Sequence, residues 1–114
     1  MKVQENFKKG AVELVVLHLL SDCDMYGYQL VQELLKRSDN QFVIREGTLY
    51  PSLYRMIEKG YITGKSELVG KKRTRIYYHI EASGLEALEA MVEGYRTISN
   101  GIEKVLASKC DCEA

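Results

Sequence analysis

The chain has 114 residues, with 16 Lys and Arg against 16 Asp and Glu and 46% hydrophobic content. That is room for one small domain with a real core; a multidomain enzyme, a disordered chain and a disulfide scaffold are all poor fits. Its apolar run from Leu14 to Leu20, broken by His18, falls far short of the ~20 residues that span a bilayer. With no secretory signal pattern either, the chain reads as cytoplasmic with no membrane partner, and an odd set of three cysteines, Cys23, Cys110 and Cys112, suits reduced thiols.

In chain order, Ala11 to Leu20 is apolar almost throughout, with Phe7 one turn upstream, and predicts a buried helix, with a buried strand as the alternative for so uniform a run. Ser21, Asp22 and Asp24 supply turn and N-cap chemistry for a second helix over about Tyr26 to Arg37, closed by Ser38, Asp39 and Asn40. A third helix is expected from about Gly47 to Lys59, ended by Gly60, with Pro51 in its first turn. Tyr61 to Val69 and Arg73 to Ile80 flank a Gly70-Lys71-Lys72 turn and predict a hairpin. Its return strand alternates Arg75, Tyr77 and His79 with a core-facing Ile76, Tyr78 and Ile80. The last helix runs from Ala82 to about Leu106.

Three helices followed by a hairpin is the order of a winged helix-turn-helix. The fold class is therefore mainly α with a small β-hairpin. The expected division is a DNA-binding winged helix over residues 1–80, a dimerisation helix over 81–107 and a flexible tail over 108–114.

Charge is unevenly placed. Residues 61–80 hold five bases and one acid, four of the bases being Lys71, Lys72, Arg73 and Arg75, whereas residues 81–114 hold three bases and seven acids. A basic hairpin tip suits a phosphate backbone. On the third helix, Thr48, Ser52, Arg55 and Lys59 fall within about 40° of one line, opposite Leu49, Leu53, Met56 and Ile57, with Tyr50 and Tyr54 at the margin of the core side. Guanidinium and hydroxyl groups in that arrangement suit base edges and phosphates. The candidate DNA-binding set is thus Thr48, Tyr50, Ser52, Arg55, Lys59, Lys71, Lys72, Arg73 and Arg75 on double-stranded DNA.

Along the last helix Leu85, Leu88, Val92, Tyr95, Ile102 and Leu106 follow three- and four-residue steps with Ser99 in the gap, while Met91, Ile98 and Val105 add a second line. A stripe so wide predicts a homodimer. Gly94 and Gly101 would allow close approach or a pocket. His18 and His79 lack metal-ligand spacing and read as structural; no metal, cofactor or catalytic residue is expected, nor an enzyme. Cys110 and Cys112 leave a metal- or redox-sensing regulator as one alternative, and a module that binds no DNA is another.

The segments Met25-Tyr26-Gly27-Tyr28-Gln29-Leu30, Glu46 through Ile62 with its Gly-Thr-Leu-Tyr-Pro core, Arg73-Thr74-Arg75-Ile76-Tyr77-Tyr78-His79-Ile80 and Ser83-Gly84 make the chain resemble the PadR family of transcriptional regulators from about Val12 to Leu106. The resemblance implies a dimeric winged-helix repressor whose third helix reads DNA and whose last helix dimerises. The single long helix after the wing is similar to the short subfamily of multidrug-responsive members, some of which bind flat aromatic compounds at the dimer interface through a tryptophan on that helix. This chain has no tryptophan; Tyr95 stands at the nearest equivalent place, which makes Gly94, Tyr95 and Ile98 the candidate effector site.

Overall fold

The computed structural model describes Lys8 and residues 10–110. The apolar run becomes helix α1, Val12–Asp22, rather than the alternative strand, and buries Val12, Val16, Leu17, Leu19 and Leu20 at helical spacing. Each buried Leu or Val contributes about 1.5–3 kcal/mol of transfer free energy. His18 faces solvent, and Ser21 closes the helix by donating its Oγ–H to the His18 carbonyl at 2.5 Å.

Ser21 and Asp22 therefore end α1 instead of capping the second helix. Between the two lies strand β1, Met25–Tyr26, a departure from the expected helix start. Met25 is buried and pairs with Tyr78, so the segment is held extended by a distant part of the chain. Helix α2 then runs Gly27–Arg37 and buries Leu30 and Leu34. It unwinds through Asp39 and Asn40, both at positive φ, which short polar side chains tolerate best after glycine. The Ser38 Oγ donates to the Leu34 carbonyl at 2.6 Å and accepts from the Phe42 N–H at 2.8 Å, closing that turn.

Helix α3, Glu46–Glu58, ends in a Schellman motif: the Tyr61 N–H donates to the Met56 carbonyl at 2.9 Å and the Gly60 N–H to the Ile57 carbonyl at 3.0 Å. Gly60 takes φ +80° there, a conformation other residues rarely adopt. Pro51 sits one turn deeper than expected, at the sixth helical position. Its missing N–H leaves the Gly47 carbonyl without a helical partner on the helix surface.

Strands β2, Ile62–Val69, and β3, Arg73–Ile80, form the expected hairpin, with Ile62 opposite Ile80 and Val69 opposite Arg73. β1 adds to the other side of β3, giving the order β1-β3-β2. Only the base of the hairpin joins the core, through Ile62, Tyr78 and Ile80; the strands beyond stand clear as a wing. Ile76, expected to face the core, is exposed on that wing.

Helix α4, Ala82–Ala107, is about 39 Å long at 1.5 Å per residue. Its root is fixed to the end of α3: the Ser83 Oγ donates to the Gly60 carbonyl at 2.6 Å and the Glu81 N–H to the Tyr61 carbonyl at 2.8 Å. Gly84 lies so close to the Tyr61 carbonyl that a side chain there would overlap it. The first half of α4 packs against the core through Ala87, Leu88, Met91 and Val92, chiefly beside α1. Beyond Val92 the helix leaves the body, and Tyr95, Ile98, Ile102, Val105 and Leu106 are all exposed.

Candidate nucleic-acid interface

The solvent face of α3 is rotated from the expected one. Its buried line is Leu49, Ser52, Leu53 and Met56, which centres the core side about 90° from Thr48. Ser52 is 1% exposed, so the sequence expectation of a DNA-facing hydroxyl is corrected: it lies on the buried face of the helix beside Leu49, Leu53 and Met56. Its Oγ accepts from the Arg55 Nη2 at 3.0 Å, which satisfies it. Tyr54 is 59% exposed and Ile57 is also exposed, where their apolarity had suggested the core side. The outward arc is Gly47, Thr48, Pro51, Tyr54 and Glu58, with Arg55 and Lys59 along one edge. Those two cations lean toward α1, where Glu13 lies 3.7 Å from the Arg55 Nε and 3.4 Å from the Lys59 Nζ.

Along the other edge Tyr50 is half-buried and walls a groove of about 590 Å³. The first turns of α2 and α3 contribute Gly27, Tyr28, Glu46 and Tyr50, and the sheet contributes Tyr26, Tyr78 and Arg73 to Ile76. The Arg75 guanidinium lies 4.2 Å from the Tyr26 ring centre, a cation–π contact, and Tyr26 meets Tyr77 edge-on at 5.4 Å. Arg75 thus belongs to the groove, while Lys71 and Lys72 stand exposed at the wing tip and Arg73 lies between the two.

Gly27 gives the groove its depth, since a methyl group at this position would overlap the Tyr50 hydroxyl. Gln32 donates from Nε2 to the Tyr28 Oη at 2.7 Å and steadies that exposed ring. Burial, followed by the nearby Glu46 and Tyr54, pushes the Tyr50 phenol above its ordinary pKa; burial and then Tyr50 and Tyr54 do the same for Tyr78. Both therefore remain neutral hydroxyls able to donate. The sequence reading named Tyr50 and Arg75 here but missed Tyr26, Gly27, Tyr28 and Tyr78, whose Tyr-Gly-Tyr and Tyr-Tyr runs were the available signal.

On α4, Leu85, Tyr95, Ile98, Ile102 and Leu106 are exposed as an interface requires. Leu88 is 9% exposed and serves the chain's own core, a correction to its expected place in an interface with a second copy, while Val92 is half-buried against that core. His79, on the exposed face of β3, pairs through Nδ1 with the Asp24 carboxylate at 2.8 Å, and that hydrogen bond and charge raise its pKa. Among the described residues no group of three or more His, Cys, Asp or Glu could hold a metal ion. Cys23 is free and exposed; Cys110 is disulfide-bonded rather than reduced as its composition suggested, and Cys112 lies outside the described residues. No helix among the described residues is long and apolar enough to cross a membrane.

Comparison with known proteins places this geometry. A family model described as the transcriptional regulator PadR-like family matches residues 16–90. A transcriptional regulator of Mycobacterium tuberculosis is 34% identical over 71 residues, covering 62% of this chain and 64% of that protein. Among solved structures, a transcriptional regulator from Clostridium thermocellum superposes with a TM-score of 0.81 at 29% identity, covering 87% of this chain and 96% of that one. A PadR family transcriptional regulator from Eggerthella lenta gives 0.82 at 27% identity, covering 95% and 92%. The matched segment contains helix α3, the tyrosine groove and the wing, and with them the chain belongs to the PadR-like family of transcriptional regulators, which are not enzymes.

Proposed function

We propose that the protein is a cytoplasmic repressor that binds a pseudo-palindromic operator as a homodimer. The groove carries this reading, because its lining joins the N-terminal half of α3 to strand β3 of the wing in one surface. The outward arc of α3, led by Thr48, Pro51 and Tyr54, would enter the major groove with its N-terminal turns foremost, the docking usual for this motif. Neutral tyrosine hydroxyls and Arg75 in the groove would meet one phosphate strand, and Lys71, Lys72 and Arg73 the next. Seated there, a dimer excludes other proteins from the same DNA.

Lys72→Ala is expected to weaken binding equally on all sequences and to lower the log–log salt slope by about one unit. Fluorescence anisotropy on an operator and on an unrelated duplex measures both. An undiminished slope removes the wing from the interface, and a wild-type protein with no salt dependence at all belongs to a module that binds only proteins.

The exposed stripe of α4 supports the homodimer, and it also bears on induction. Pairing two such stripes brings together Tyr95, Ile98 and Gly94, aromatic and small groups suited to a flat aromatic effector. Such a molecule acts only by favouring an arrangement of the two heads that does not fit DNA. Titrating an aromatic dye into the operator complex is expected to release DNA from the wild type but not from Tyr95→Ala. Equal release from both rules out this site.

A further inference from the structure

Glu13 stands in the first turn of α1, its side chain 22% exposed, with one carboxylate oxygen toward each of the two cations at the end of α3. Oε1 lies 3.4 Å from the Lys59 Nζ and Oε2 lies 3.7 Å from the Arg55 Nε. Arg55 has a second tether in the Ser52 hydroxyl, itself fixed in the core. Neither cation is therefore displayed as a loose arm, although both lie on the edge of the helix face assigned to DNA.

We propose that Glu13 is an internal substitute for a DNA phosphate, occupying Arg55 and Lys59 so that neither adds a contact to the nucleic-acid backbone. A carboxylate offers two anionic oxygens to guanidinium and ammonium groups much as a phosphate does. Because it is part of the same chain, it competes at a high effective concentration. Moving either cation onto DNA would cost Glu13 one of its two ion pairs, one pair being exchanged for another, and the counterion release that drives non-specific binding would bring little gain. Glu13 in this role limits how tightly the protein holds DNA of arbitrary sequence. It is a positioning residue, acting through Arg55 and Lys59, and the proposal rests on the DNA-binding reading above.

The test is anisotropy on a short duplex of arbitrary sequence between about 50 and 200 mM salt, with circular dichroism confirming that each variant is folded. Glu13→Gln keeps the shape and removes the charge. It is expected to bind several-fold tighter at the low-salt end and to steepen the log–log slope by about one to two units, since each freed cation adds about 0.9. Replacing both Arg55 and Lys59 by Gln is expected to leave the wild-type slope unchanged and to cancel the gain in the Glu13→Gln background. A merely structural ion pair would alter stability and not the slope. Two results overturn the proposal: a Glu13→Gln slope equal to wild type, or a wild-type slope flattened by the double replacement, which would mean that the cations already touch phosphate. Wild-type binding stands in either case; its absence would instead overturn the DNA-binding reading and this inference with it.

Discussion

On the proposed homodimer, Ile102→Asp is expected to give a folded monomer that no longer holds a two-half-site operator. Ile102 is 50% exposed and lies beyond the part of α4 that packs on the core, so a carboxylate there leaves the winged helix intact. In a dimer the same carboxylate would be buried against an apolar stripe without a partner, at a cost of several kcal/mol in each copy. Losing the second reading head removes the gain of linked binding, about 10²- to 10⁴-fold in affinity. Sedimentation velocity reads the first effect and anisotropy on the full operator the second. Val92→Asp serves as the contrast: Val92 packs against the chain's own core, so that variant is expected to unfold rather than merely dissociate. An Ile102→Asp protein that sediments as a dimer removes α4 from the interface.

Gly84→Ala is expected to destabilise the protein by about 1–3 kcal/mol, the range for forcing an extra carbon into packed structure. Alanine normally favours a helix interior over glycine by up to about 1 kcal/mol, so the predicted sign runs against propensity. The reason is local: the added methyl meets the Tyr61 carbonyl and the Ile80 side chain, and the former is backbone that cannot rotate aside. Relief requires α4 to lift from the corner where Ser83 and Glu81 hold it. A thermal melt would fall by about 4–8 °C per kcal/mol for a domain of this size. An unchanged or raised melting temperature would show that the root of α4 yields easily.

Much of this architecture could be read from the chain because each helix repeats its apolar residues on its own period, and the wing carries its turn and its charge in one segment. What escaped depends on partners far apart in sequence. Met25 and Tyr26 form a strand only because Tyr78 and Tyr77 lie beside them. The groove draws on both α2 and α3 as well as the sheet, and no single window of sequence contains it. On α3, ranking residues by apolarity set Tyr54 and Ile57 inward and Ser52 outward, whereas Leu49, Ser52, Leu53 and Met56 keep a stricter spacing and are the buried line. The apolar pattern of α4 was visible from end to end, but not where its own core stops. That limit is set by α1, which at 11 residues is about 16 Å long and covers less than half of a 26-residue neighbour.

The anchoring of α4 to the Gly60–Tyr61 corner has a mechanical consequence. The carbonyls that hold its root immediately follow α3, so any swing of α4 is imposed on α3 with little slack between them. Over a lever of about 39 Å, a displacement of about 7 Å at the far end corresponds to a tilt of only about 10°. The same ratio works in reverse: a slight change in how two such arms cross would shift the separation of the two reading helices by an amount comparable to the rise of two base pairs, about 7 Å. Half-sites one helical turn apart require the heads about 34–36 Å from each other. In the proposed homodimer, such a change of crossing would release the operator without any change inside either head.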